Sequence, residues 1–188
     1  MIVAAHDQPL PTLRAILRQA TENSHGVLDE RMHGFAIGND RDYARFLCVQ
    51  YAARVAMERE PIRIEGIENA LPTMSDLIAA DLADLGQPLP PPAQFSPAPA
   101  AHALGIAWAL AGSAMGNRLV LTERRRLGHV GADRFLSDKR GRLFFRSLLP
   151  MLENPVGNPF AQRAVLGAEA VFETFLAAVD ALQMRQAA

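Results

Sequence analysis

Apolar residues recur along most of this chain at spacings of three and four, which is the period of an amphipathic helix. Read in this way, the sequence predicts helices over 11–32, 41–60, 74–85, 98–125, 133–138, 140–152 and 159–184. No stretch alternates apolar and polar residues as a half-buried strand does, and no segment is repeated. The pattern therefore predicts an all-α bundle.

Gly, Pro and small polar residues mark the ends of the predicted helices. We expect Asn39 or Asp40 to cap the second helix and Ser75 or Thr73 to cap the third, because these side chains accept hydrogen bonds from free N–H groups. Gly86 is expected to end the third helix. A proline-rich connector over 86–100 follows, since proline continues neither a helix nor an inner strand.

The bulk composition narrows the class of protein. The 188 residues carry a formal net charge of −1, which argues against nucleic acid as a partner. Cys48 is the only cysteine, so an intrachain disulfide is excluded and a reducing compartment is indicated. We expect a single cytoplasmic domain over 1–188, with a loosely ordered N-terminus at 1–10 and no signal peptide. The uncharged stretch 91–117 is rich in Ala, Gly and Pro, which predicts a buried helix and no membrane span.

The helix predicted at 11–32 carries a candidate metal ligand. His25 lies beside the apolar stripe, and its seven-residue spacing from Arg18 puts the two side chains within about 20° of each other and roughly 10 Å apart along the axis. Asp29, one turn further on, is expected to accept a hydrogen bond from one ring nitrogen and leave Nε2 of His25 for a metal. A structural histidine fits the same pattern.

The helix predicted at 98–125 has one face with almost no side chains, formed by Gly105, Ala109, Gly112 and Gly116. Glycine costs roughly 1 kcal/mol of helix stability relative to alanine, so the pattern favours a flat group close to the backbone. Tight packing against another helix explains it equally well, and both explanations stay open. The neighbouring stripe is expected to face the core and comprises Leu104, Trp108, Ala111, Met115 and Leu119.

A pair of arginines lies on one face of the helix predicted at 140–152. Arg142 and Arg146 are four residues apart, where like charges repel unless they are solvated or share an anion. Together with His25 and the glycine face, such a pair suits haem, because an imidazole binds the iron and guanidinium groups bind the propionates.

Three segments carry recognisable motifs: LRQATENSHGVLD, WALAGSAMGNRL and GRLFFRSLLPMLE. They resemble, in this order, the proximal-helix pattern L-x-x-A-T-x-x-x-H, the distal-helix pattern Y-V-L-x-G-S-x-L-G-G and a propionate-binding helix of the haem oxygenases, in particular the bacterial, biliverdin-producing members. Trp108 and Asn117 stand where the distal pattern usually has a tyrosine and a second glycine. Shorter likenesses near Tyr43, Asp81 and Phe172 extend the resemblance over nearly the whole chain.

The resemblance implies a helical bundle in which haem, both cofactor and substrate, lies between a proximal and a distal helix. It implies cleavage of haem by O2 to biliverdin, carbon monoxide and ferrous iron, with electrons from an external reductase or ferredoxin. A phytochrome is one implied acceptor of the biliverdin. The implied site residues are His25 at the iron with Asp29 behind it, Arg18, Thr21, Arg142, Arg146 and Phe172 at the haem, and Gly112, Ser113 and Gly116 on the catalytic side.

Three other functions are compatible with these residues. A haem-binding carrier or sensor would use the same His25 and arginines without degrading haem. A haem-oxygenase-like bundle with another activity, such as the thiaminase-like relatives, would not bind haem. An interaction module would use the glycine face only to pack helices.

Overall fold

A computed structural model describes residues 10–33, 35, 38–59 and 61–187. The structure is 67% helix, and the described residues form no strand, which confirms the all-α prediction. Of the N-terminus expected to be loosely ordered, residues 1–9 lie outside the described residues. The helices are α1 Leu13–Ala20, α2 Glu22–His33, α3 Asp40–Met57, α4 Ser75–Asp84, α5 Ala103–Gly112, α6 Ala114–Arg126, α7 Arg134–Ser137, α8 Arg140–Leu152 and α9 Asn158–Ala187.

Two predicted helices are divided. The one predicted at 11–32 breaks at Thr21, whose hydroxyl donates to the carbonyl oxygen of Leu17 at 2.9 Å and competes with the regular helical hydrogen bonds. The one predicted at 98–125 begins only at Ala103, because Nδ1 of His102 accepts the N–H of Leu104 at 3.1 Å and caps the helix there. Its second half is separated from the first at residue 113.

The helix caps show which helix ends can be predicted from the neighbouring residues alone. Asn39 caps α3 as predicted, with its side chain accepting the backbone N–H three residues later at 2.8 Å. The predicted cap of α4 by Ser75 or Thr73 is wrong. The carboxylate of Glu58, at the end of α3, instead accepts the N–H groups of Met74 and Ser75 at 2.9 to 3.0 Å.

The long helix α9 is the element on which α1, α2, α3 and α5 pack. Its closest approach is to α5, where glycine on each helix makes room for the other backbone. A Cβ added to Gly105 would overlap the carbonyl oxygen of Ala164, and one added to Gly167 would lie 2.5 Å from the carbonyl oxygen of His102. Helix packing therefore explains the first glycine of the small-residue face.

Two helices are poorly buried. No residue of α2 is buried, and Asn117 and Arg124 are the buried residues of α6. Met115 and Leu119 were predicted in the core but are 57% and 75% exposed, because the stripe continued from α5 does not keep its register beyond residue 113.

By length and composition alone, the stretch Ala103–Arg126 would be apolar enough to cross a membrane, and 39% of its most apolar window is buried. The buried half is α5, which packs on α8 and α9, and the exposed half is α6. The prediction of a buried helix thus holds for α5 only.

Candidate functional site

His25 lies on the outer part of α2 with one ring nitrogen engaged. Its Nδ1 is 2.9 Å from Oδ2 of Asp29, and its side chain is 60% exposed. The ring meets the edge of Phe172 from α9, with ring centroids 5.7 Å apart. A neutral imidazole that donates Nδ1–H to Asp29 presents Nε2 as a lone-pair donor, as predicted for a metal ligand.

Both apolar and polar contacts hold α2 on the bundle, since Leu28 and Met32 pack against the core although neither is fully buried. Oγ of Ser24 donates to Oε2 of Glu169 at 2.6 Å, one residue before the candidate ligand. Seven residues further along α2, Arg31 pairs with Asp180. His25 is therefore positioned by contacts on both sides of it, while the surface around its ring stays accessible.

The glycine face changes character along its length. A Cβ on Gly112 would lie 3.6 Å from the ring of Phe145, at ordinary van der Waals distance, and one on Gly116 would meet nothing within 4 Å. The exposed Met115 and Leu119 continue the same strip at helical spacing. Beyond Gly105, the face is an apolar strip on which Ala109 packs against the core and Phe145 borders Gly112, whereas the Cβ position of Gly116 meets no described atom within 4 Å.

The three predicted propionate-binding arginines have no carboxylate partner among the described residues. Most other arginines of the chain are paired, for example Arg14 with Glu153 at 2.7 Å. That pair joins α1 to the end of α8, so the two helices that carry the three arginines are neighbours. Arg18 is one turn beyond Arg14, and Arg146 is seven residues before Glu153, within about 20° of it around the axis.

The side chain of Phe145 connects the arginine helix to the glycine face. It lies on α8 between Arg142 and Arg146, at spacings of three and one, and its ring is the nearest neighbour of Gly112. The arginine side of α8 and the open glycines of α5 and α6 are thereby adjacent. The sequence offered a signal for Phe145, because residues three and four apart share a helix face.

Two predicted site residues lie apart from this surface. Thr21 is only 2% exposed, and its hydroxyl is engaged at the break between α1 and α2. The hydroxyl of Ser113 accepts a hydrogen bond from Nη2 of Arg54 at 2.6 Å and donates to the carbonyl oxygen of Leu110 at 2.7 Å. Each hydroxyl makes its hydrogen bonds where two consecutive helices adjoin.

Three contributors were not predicted: Phe145, Glu169 and Arg54. For Arg54 a signal exists in the spacing of Gln50, Arg54 and Glu58, which places three polar side chains on one face of an apolar helix. Glu169 meets Ser24 only through the packing of α2 on α9, so nothing local in the sequence identifies it.

The described residues contain no group of three His, Cys, Asp or Glu side chains able to hold a metal ion. A metal at His25 would therefore need most of its ligands from another molecule, as an iron ion bound by a macrocycle does. A cleft of about 410 Å³ lies between α3, α4 and α9, and a cavity of about 10 Å³ lies beside Arg54; neither includes His25. The candidate site is an open surface.

Comparison of the chain with models of known protein families finds no match, and comparison with curated proteins finds none either. The function therefore has to be argued from the residues and their arrangement.

Proposed function

We propose that this chain is a cytoplasmic haem oxygenase that cleaves haem to biliverdin, carbon monoxide and ferrous iron. One observation carries the proposal. A histidine held by a carboxylate on its Nδ1 side occurs in the same bundle as a glycine face whose last member, Gly116, has open space where a side chain would be. The three sequence motifs support the same reading.

The residues present fit a haem. Nε2 of His25 would bind the iron, and the guanidinium groups of Arg18, Arg142 and Arg146 would bind the two propionates. A charge-assisted hydrogen bond contributes about 1.5–3 kcal/mol, so unpaired arginines are a substantial source of affinity for a dianionic ligand. The apolar strip that contains Met115 would cover part of the macrocycle.

Bound haem would supply the iron that reacts with O2 and the ring that is opened, with electrons from an external reductase or ferredoxin. The chain contributes orientation and a shaped surface. Asp29, as the acceptor of Nδ1–H, would fix the tautomer of His25 that leaves Nε2 for the iron, and a histidine ligand promotes O–O cleavage less than a thiolate does. The open space at Gly116, beside Gly112, would leave room for O2 next to a haem bound on this face.

The arginines would select the ring edge. If they bind the propionates, they would attach that side of the macrocycle to α1 and α8 and so orient the ring against the glycine face. Arg142 and Arg146 lie on the helix whose Phe145 touches Gly112, so the anchoring groups and the glycine face belong to adjoining surfaces.

Haem titration of the isolated protein tests the proposal. Trp108, the only tryptophan, lies one turn before Gly112, so haem bound on this face should quench its fluorescence with one-to-one stoichiometry as a Soret band develops. The spectrum of ferric haem should change in His25→Ala. It should not change in His33→Ala, which alters an exposed histidine at the end of the same helix. Absence of a Soret band would contradict the proposal and favour another activity or an interaction module.

A further inference from the structure

Arg54 is a buried cation in the middle of the bundle. Its side chain is 3% exposed, and its guanidinium lies 5.3 Å from the ring centre of Phe135. Nε donates to Oε1 of Gln50 at 3.2 Å, and Nη2 donates to Oγ of Ser113 at 2.6 Å and to the carbonyl oxygen of Leu110 at 3.5 Å. Burying a charge is unfavourable unless it is paired and hydrogen-bonded, so the partners of Arg54 determine whether it can occupy this position.

The contacts of Arg54 fall on the break between α5 and α6. The hydroxyl of Ser113 donates to the carbonyl oxygen of Leu110, so that carbonyl has two side-chain donors. The N–H of Gly116 then donates to the carbonyl oxygen of Ser113 at 3.2 Å, one residue short of the regular helical partner. Side chains that bond to helix carbonyls in this way bend helices.

A second set of contacts fixes Arg54 itself. Nη1 lies 3.8 Å from Oε1 of Glu58, whose carboxylate also caps α4. Burial lowers the pKa of the Arg54 guanidinium and the charge of Glu58 opposes this, and an arginine stays protonated throughout. The cavity beside these groups measures about 10 Å³, enough for one water at most.

We infer that Arg54 is a positioning residue that fixes the junction between α5 and α6 at Ser113 and thereby the place of Gly112 and Gly116. Where it concerns haem, the inference rests on the proposed function. Arg54 then determines how far the glycine face lies from the ring, although it does not touch haem. A lysine cannot replace it, because only a guanidinium donates from separate nitrogens toward Gln50, Ser113 and Glu58 at once.

Hydrogen–deuterium exchange of the haem-free protein tests directly how firmly this junction is held. In Arg54→Met, the amides of 110–116 should exchange at least about tenfold faster than in the wild type. Arg124→Met is the matched control, since Arg124 is also 3% exposed, ion-paired and stacked on an aromatic ring, at the opposite end of α6. Equal exchange at 110–116 in both variants would overturn the inference.

Ser113→Ala provides the milder variant, which removes the acceptor of the 2.6 Å bond without emptying a buried site. It should raise exchange at 110–116 in the same direction, and adding Ser113→Ala to Arg54→Met should have little further effect because both act through one bond. Fully additive effects, or none from Ser113→Ala, would mean that Arg54 does not act through this bond and would contradict the inference.

The haem-bearing protein supplies a readout that general destabilisation would not change. Arg54→Met should bind haem within about twofold of the wild-type affinity yet alter the ratio of biliverdin isomers or the turnover about tenfold, while Arg124→Met alters neither. An unchanged isomer ratio and turnover in Arg54→Met would overturn the haem part of the inference. If the wild type binds no haem, the proposed function fails, together with this part of the inference, and hydrogen exchange still decides whether Arg54 fixes the junction between α5 and α6.

Discussion

Gly105 and Gly116 belong to one small-residue face, yet they serve opposite purposes. Gly105 lies where α5 meets α9, and a methyl group there would overlap the backbone of Ala164. Gly116 lies beyond the break at residue 113, and a methyl group there would meet nothing. The same spacing of glycines thus encodes a tight helix contact at one end and an uncovered surface at the other.

The role of a glycine in a helix can therefore be inferred only when the atoms opposite it are known. Glycine lowers helix stability by roughly 1 kcal/mol relative to alanine wherever it occurs. At Gly105 the close packing of α5 on α9 offsets this cost. At Gly116 no described part of the chain offsets it, and the glycine needs another reason, which we propose is a bound haem.

Alanine at these two positions should give the largest contrast. Gly105→Ala should destabilise the protein by about 3 kcal/mol, or roughly 10 °C in Tm, because backbone atoms cannot move aside as a flexible side chain can. Gly116→Ala should raise the Tm slightly, through better helix propensity, and still slow haem cleavage. Thermal unfolding followed by circular dichroism checks both, and a lowered Tm for Gly116→Ala would show that this glycine packs as well.

Removal of the candidate iron ligand should be the next largest effect. His25→Ala should retain some haem through the arginines and lose turnover, which added imidazole should partly restore. The variant should unfold at nearly the wild-type temperature because the His25 side chain is 60% exposed. Normal turnover in His25→Ala would mean that another residue binds the iron.

Loss of one unpaired arginine should have a smaller effect. Arg142→Ala and Arg146→Ala should each weaken haem binding about tenfold, as expected for one charge-assisted hydrogen bond, and shift the biliverdin isomer ratio. Arg140→Ala is the control on the same helix, since Arg140 already pairs with Asp138 at 2.9 Å. Identical haem affinity in all three variants would remove the arginine pair from the site.

The smallest effect concerns the far end of α6. A hydrogen bond from Arg124 lowers the pKa of Asp40 below its usual 3.8. The ionised form therefore stabilises the fold above about pH 4, and this contribution disappears as the pH falls through the lowered value. Asp40→Asn should cost at most about 1 kcal/mol at pH 7, and this cost should shrink as the pH falls below about 4, measured by urea unfolding. If the stability difference between the wild type and Asp40→Asn does not shrink at low pH, it does not come from the ionised Asp40 and its hydrogen bond with Arg124.

The periodicity of apolar residues predicted the helices because each one covers a shared core. The bounds 140–152 agree with α8, and Gly86 follows α4 with a φ of +65°, a conformation that suits glycine. The breaks at Thr21 and Ser113 were not predicted, since both residues also occur inside regular helices and the second break involves Arg54 from another helix.

The candidate site was predicted to the extent that it is local. The contact of His25 with Asp29 follows from a spacing of four. Arg142 and Arg146 have no carboxylate partner in the part of the chain that the structure describes, and their role at the propionates stays a prediction. Gly105 is packed and Gly116 is open because α9 packs along α5 and not along α6. The spacing of residues within one helix cannot predict this. The same holds for Glu169 and Arg54, which act across helix contacts.

Whether this protein cleaves haem is tested most directly by the absorption spectrum of the haem-loaded protein after addition of ascorbate in air. We expect the Soret band to fall while the red absorption of biliverdin grows. The conversion should be slower in Gly116→Ala at full haem occupancy. A Soret band that persists unchanged in the wild type would contradict the account and leave a protein that binds haem without cleaving it.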